Sequence, residues 1–468
     1  MLNFWEYNVW GWVMTLAVLL ASLLAGNVMR RKIPFLRKSL IPTSVIGGVI
    51  LLAVAAIYKL ITGDVMFDTA LFDHKGTVCL EIITYHALAL GFVASAFKTT
   101  GGKLSKKRTT EIFNTGVTTV ATYLLQGIVG LGITIVLALL IKDFFSAAGL
   151  LLPFGYGQGT GQAMNYGQIY ENDFGFSGGM NFGLAIAALG FLSAALGGVF
   201  HLNITRRRDK LVLSKRTDGT TQADEIESPD EIPMQESLDK MTVQIALIVL
   251  AYGIAYAIMY VLGNIFPGMR SVIYGFNFLI GVLSATIVKV IIGRLRKTGL
   301  MGRKYTNNFL MTRISNFFFD VMIVSGVAAI RLDTLKEYWA ILLFLGIVGL
   351  VITYAYCRFV SKKLFPDYYE EQFLMLYGML TGTASTGMIL LREIDGEFKT
   401  PASDNMVYQN FPAIVFGLPI MFLATFAPTR PILTLIILVG FFAVLNVILF
   451  RSFIFKKKKT KDGQTEKE

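Results

Sequence analysis

The chain has 468 residues, 54% of them hydrophobic and only 16% charged, with a mean hydropathy of +0.59. A water-facing fold carries about 25% charged residues, so this composition excludes a soluble globular protein and a disordered chain alike. Two cysteines, Cys79 and Cys357, exclude a disulfide scaffold, and the net charge of +12 reads as the positive loops of a membrane protein, with no nucleic-acid partner.

A helix needs about 20 mostly apolar residues to cross the roughly 30 Å hydrocarbon layer. Segments of that kind occur at residues 9–26, 44–61, 80–97, 116–141 and 179–202. Six more follow at 241–262, 271–293, 312–330, 338–359, 405–427 and 432–453. The expectation is an all-α polytopic membrane protein with about eleven transmembrane helices. The first segment is not a signal peptide, because its basic cluster (Arg30, Arg31, Lys32) follows the apolar run.

Two further stretches, 150–170 and 373–392, are moderately apolar but have Gly/Ser/Thr-rich centres. Counting either as a crossing spoils the charge pattern of every later loop, so each reads as a re-entrant hairpin. Irregular backbone at membrane depth is tolerated only when wrapped in protein or lining a cavity, and such tips mark a permeant's site.

With these assignments, 36 of the 43 basic residues fall in one of the two alternating sets of loops and seven in the other. The basic set is cytoplasmic, which puts the amino terminus outside and the lysine-rich tail inside. The first hairpin then enters from outside and the second from inside. Residues 1–204 make a first repeat of five spans, 205–240 a solvated cytoplasmic linker, and 241–427 a second repeat of five. Residues 428–468 add an extra span and the basic tail. Five is odd, so the second repeat is inverted relative to the first, a design used by secondary transporters.

Glycine at a hairpin tip lets backbone approach a solute, and broken helices aim amides at carboxylates and carbonyls at sodium. Gly157, Gly159, Thr160 and Gly161 suit this role at the first tip, and Gly382, Thr383, Ser385 and Thr386 at the second, with Thr381 as a sodium ligand. Gly190, Ala194 and Gly198, four residues apart, read instead as a helix contact face. Asp320 and His86 each lie about six residues inside equivalent spans of the two halves. Each is either a coupling site or a polar group bonded to a neighbouring helix. Asn165 and Asn181 are candidate sodium or substrate ligands. Arg392 either meets a substrate carboxylate or, the favoured reading, anchors its hairpin at the inner interface. His74 and His201 fall near loops and read as solvated. Walker, HExxH, CxxC and nucleophile-elbow motifs are all missing, so neither an enzyme nor an ATP-driven pump is expected.

The segments GYGQGTGQAMNYGQIYENDFGF (155–176) and GMLTGTASTGMILLREID (378–395) resemble the paired motifs of the bacterial sodium/glutamate symporter family. HALALGF (86–92) is similar to that family as well. The glycine-rich motif carries over onto Gly157, Gly159, Thr160 and Gly161, and its second copy onto Gly378, Gly382, Thr383 and Thr386. Better-known members have GGHGTG where this chain has Gln158 in place of the histidine. The resemblance implies a homodimer in the bacterial cytoplasmic membrane, with a scaffold and a moving transport part in each protomer. It also implies sodium-coupled uptake of glutamate, or a related anionic amino acid or dicarboxylate, by an elevator-like motion. Sodium is the coupling ion, with no other cofactor. A proton-coupled carrier or cation/proton exchanger using Asp320, and a non-transporting receptor, are the alternatives.

The topology is checked by labelling. In a variant lacking Cys79 and Cys357, a cysteine placed by Thr334→Cys reacts with an impermeant thiol reagent on intact cells. One placed by Gly463→Cys resists it. Ready labelling at 463 removes a span from the count.

Overall fold

In the computed structural model the described residues are 3–38, 41–98, 105–209, 239–300, 306–395 and 399–454. Most of the linker and the basic tail fall outside them. The described chain is helical. The long helices are α1 (Tyr7–Lys32), α2 (Thr43–Thr62), α3 (Gly76–Ala96) and α4 (Lys106–Leu140). The first hairpin is α5 (Leu151–Gln158) and α6 (Thr160–Phe174), followed by α7 (Gly179–Asp209). After the linker come α8 (Lys240–Ile265), α9 (Asn277–Lys297), α10 (Asn308–Ala328) and α11 (Trp339–Leu364). The second hairpin is α12 (Tyr369–Thr381) and α13 (Ala384–Arg392), and α14 (Ala402–Tyr408), α15 (Asn410–Phe426) and α16 (Pro431–Leu449) complete the chain.

Local chemistry sets several of these boundaries. Asp239 accepts from the amides of Met241 and Thr242 at 2.8 and 3.2 Å and starts α8. Asn307 caps α10 through the amides of Phe309 and Leu310, and its own amide donates to Gln244 of α8 at 3.0 Å. These side-chain acceptors satisfy amides that a helix start otherwise leaves bare.

Ten helices of the described chain are long and apolar enough to cross a membrane. The exception to the expected eleven is the segment 405–427. It is divided at Gln409 into α14 and the 17-residue α15. Pro412 explains the break, since it has no amide to donate to the Tyr408 carbonyl four residues back. A second proline, Pro419, lies within α15.

The helices pack in two groups. In the first, α3 lies along α10, α2 packs on α10 and α9 on α3, α1 on α2 and α8 on α9. The second holds α4, α7, α11 and both hairpins, with α15 and α16 laid against α4. The groups meet chiefly where α6 packs on α3 and α10. With no hydrophobic drive between helices in lipid, such contacts rest on small residues and close packing. The Gly190–Ala194–Gly198 face shows this: a Cβ at Gly190 would collide with the Thr381 carbonyl of the second hairpin. Gly198 is equally crowded by Leu390, and Ala194 is fully buried.

Gly190→Ala is therefore expected to lower the melting temperature of the purified protein. The cost is about 1–3 kcal/mol, the range for overpacking a rigid interface. Sodium and substrate affinities should change less than stability.

Candidate functional site

Both predicted hairpins are helix–break–helix. In the first, α5 ends at Gln158 and α6 begins at Thr160, with Gly159 between them at φ +83°. That left-handed backbone favours glycine. In the second, α12 ends at Thr381, Gly382 has φ −135°, and Thr383 caps α13 by accepting from the Thr386 amide at 3.4 Å. Gly382 is thus outside the left-handed region; a Cβ there would crowd the Thr386 hydroxyl at 2.9 Å and the Gly378 carbonyl at 3.1 Å.

The two tips meet. A Cβ at Gly159 would sit 3.7 Å from Thr383 Cγ2 and 3.7 Å from Met322 Cε. Thr160 is fully buried and its hydroxyl donates to the Met322 carbonyl of α10 at 3.2 Å. Gly161 faces Leu88 of α3. Two helix starts, those of α6 and α13, therefore share a protein-enclosed region with two helix ends, those of α5 and α12. Helix starts carry partial positive charge and bare amides, and helix ends carry carbonyls. Such a region offers donors to an anion and acceptors to a cation within a few ångströms.

Side chains of the surrounding helices hold the breaks in place. The Tyr123 hydroxyl donates to the Gly157 carbonyl at 2.9 Å. Gln126 Nε2 donates to Thr353 Oγ1 at 2.8 Å and to the Leu380 carbonyl at 2.9 Å, so α4 braces both tips. Thr381 is buried and its hydroxyl donates back to the Tyr377 carbonyl at 2.6 Å. Ser385 lies in the first turn of α13.

The other candidates lie apart from the tips. Asp320 is two residues from Met322 but lies beside Ser44 of α2. His86 is exposed on α3, with Nδ1 2.8 Å from the Tyr252 hydroxyl. Asn165 is buried further along α6 and donates to the Gly275 carbonyl at 3.3 Å. It lines a polar cleft of about 220 Å³ with Tyr85, Gln168, Asp173 and Tyr274. Asn181 accepts from the Arg331 amide at 2.8 Å, which ties α7 to the loop after α10. Arg392 is exposed at the far end of α13.

His201 corrects the reading of a solvated group. It is buried, with Nε2 2.6 Å from Glu370 and Nδ1 2.8 Å from the Tyr354 hydroxyl, and Arg358 lies 3.4 Å from the same carboxylate. This cluster fastens the start of α12 to α7 and α11. Past α13, Asp395 closes a turn by accepting from the Lys399 and Thr400 amides and the Thr400 hydroxyl. Burial alone raises that carboxyl, but these bonds outweigh it and hold it below the ordinary range. A lowered carboxyl keeps its stabilising effect above the unfolded pKa and loses it only as pH falls through the folded one. The turn is therefore intact at neutral pH.

Sequence reasoning also missed Gln162, in the first turn of α6. It is 1% exposed and neither of its amide atoms has a hydrogen-bond partner among the described residues. Its place beside the GTG motif was a usable signal, but only packing reveals the unpaired amide.

Residues 10–395 match the sodium/glutamate symporter family. The chain belongs to that family. It is accordingly a multi-pass membrane protein of a symporter family and not of an enzyme family. No curated protein matches it. The matched region ends at the turn after the second hairpin, so α14, α15 and α16 lie beyond it.

The tips generate an ordered prediction. Gly159→Ala strains a positive-φ position by about 1–3 kcal/mol. It should abolish sodium-dependent uptake while expression and membrane insertion stay near normal. Gly382→Ala should be milder, since its backbone is not left-handed and the Cβ would crowd Thr386 and the Gly378 carbonyl by a few tenths of an ångström. Thr160→Ala should weaken sodium or substrate affinity about ten-fold, the usual loss for one buried hydroxyl bond. Equal, normal uptake by both glycine variants would show that the tips do not line the site.

Proposed function

We propose that this protein is a sodium-coupled symporter importing glutamate, or a closely related small anionic amino acid or dicarboxylate, across the bacterial cytoplasmic membrane. The observation that carries the proposal is the meeting of the tips, where a Cβ built on Gly159 would lie 3.7 Å from Thr383 Cγ2. A carboxylate is suited to the bare amides of α6 and α13. Sodium is suited to the carbonyls and hydroxyls of Thr160, Thr381, Thr383 and Thr386.

The two helix groups support an elevator-like motion. The group of α1–α3 and α8–α10 acts as the scaffold, and the group bearing both hairpins as the moving part. The packing pairs support two inverted repeats: α1 on α2 answers α8 on α9, and α2 on α10 answers α9 on α3. In this arrangement α6 is packed into the scaffold, whereas Ala384 and Arg392 of α13 are exposed. Dimerisation through the scaffold, with the amino terminus outside and the tail inside, completes the reading.

Replacing sodium by choline at clamped pH tests the coupling. Uptake of glutamate by purified protein in liposomes should fall to background. Unchanged uptake that follows the proton gradient, and is lost in Asp320→Asn, would mean proton coupling instead.

A further inference from the structure

Three helix ends converge at the face rich in basic residues: the start of α4, the end of α11, and the short helix Arg451–Ile454 that follows α16. Between them lies a groove of about 470 Å³. Lys106, Lys107 and Lys363 form its rim, Leu364 and Phe453 its apolar wall, and Glu111 is the one acid lining it. That carboxylate is already engaged, being buried and paired with Arg108 at 2.5 Å. Lys107 is held by Asp367 at 2.9 Å. Lys106 and Lys363 are exposed and neither side chain has an ion pair or hydrogen bond among the described residues. The groove therefore offers positive charge with no unengaged carboxylate to oppose an anion.

Its apolar side continues along the exposed seam between α11 and the end of α16. The rings of Phe359, Phe450 and Phe453 succeed one another at centroid distances of 5.6 and 6.3 Å, and Phe359 and Phe453 are about half exposed. The seam is locked by Arg451, which donates to Asn114 at 3.1 Å and lies 5.4 Å over the Phe113 ring of α4. A basic mouth at a helix-end interface, above an exposed aromatic wall, is complementary to a lipid phosphate with its acyl chain. The tail that follows, residues 455–468, has six lysines against Asp462, Glu466 and Glu468, so its net charge has the same sign as the groove's rim.

We propose that this groove binds the headgroup of an anionic phospholipid. The site is built by the short helix Arg451–Ile454 that follows α16, beyond the family-matched residues, against the ends of α4 and α11 within them. It shares no residue with the hairpin tips, so it stands independently of the substrate and the coupling ion.

Native mass spectrometry of the full-length protein in neutral detergent, titrated with phosphatidylglycerol or phosphatidylcholine, tests it. Phosphatidylglycerol should be retained in preference to phosphatidylcholine. The double variant Lys106→Ala/Lys363→Ala should bind it about thirty-fold more weakly, the loss expected for two basic contacts. A control pair elsewhere on the basic face, Lys32→Ala/Lys297→Ala, should bind as the parent does. Phe453→Ala should weaken retention with all lysines in place. Equal retention of both lipids, or equal losses in the two double variants, would overturn the proposal. Displacement of phosphatidylglycerol by millimolar inorganic phosphate would make this a free-anion site and overturn the lipid assignment.

Discussion

The constraint on which this structure depends is the cost of broken backbone hydrogen bonds at membrane depth. Each hairpin tip interrupts a helix, and an unsatisfied amide or carbonyl in hydrocarbon costs several kcal/mol. The chain meets that cost with side chains from unbroken helices. Tyr123 and Gln126 of α4 take up the Gly157 and Leu380 carbonyls, and Thr160 reaches the Met322 carbonyl of α10. One straight helix thus braces both breaks. The groups left over at the tips, mainly helix-start amides and helix-end carbonyls, are those a permeant and its ion can use.

The same constraint explains what was legible in the sequence. Hydropathy marks the long helices because each satisfies its own backbone and must be apolar on its lipid side. The hairpins were legible by contrast, as apolar stretches interrupted by Gly-Thr pairs whose inclusion as spans broke the charge alternation. The division of 405–427 was harder to see. Its apolar content is that of a span, and only the weight given to Pro412 near Gln409 tells a break from a kink.

Side-chain partnerships were the least legible part. His201 looks like a loop residue by position, yet α7 continues past it and buries it against Glu370 and Arg358. Asn181 and Asn165 were picked for their chemistry, but each bonds backbone of the loops flanking the first helix group, at Arg331 and Gly275. Asp320 is close in sequence to the Met322 contact, but helical geometry turns residues two apart to different sides. These outcomes depend on which neighbour occupies each face, and no periodicity within a single helix encodes that.

The charge balance at the tips bears on the proposed coupling of substrate to sodium. Among the described side chains there, the polar groups are the neutral hydroxyls and amides of Thr160, Gln162, Thr381, Thr383 and Thr386. Arg392, the nearest fixed cation along α13, is exposed at that helix's far end. A carboxylate brought into such an environment loses its hydration and gains only dipoles, which compensate a full charge incompletely. In the proposed mechanism a sodium ion held by carbonyls and hydroxyls beside it would supply the missing counter-charge and would leave again once the site reopens to water. A built-in lysine or arginine would bind the anion equally well on both sides of the membrane and would add nothing to the direction of transport. A neutral site with a diffusible cation ties the substrate's affinity to the sodium concentration on whichever side is open.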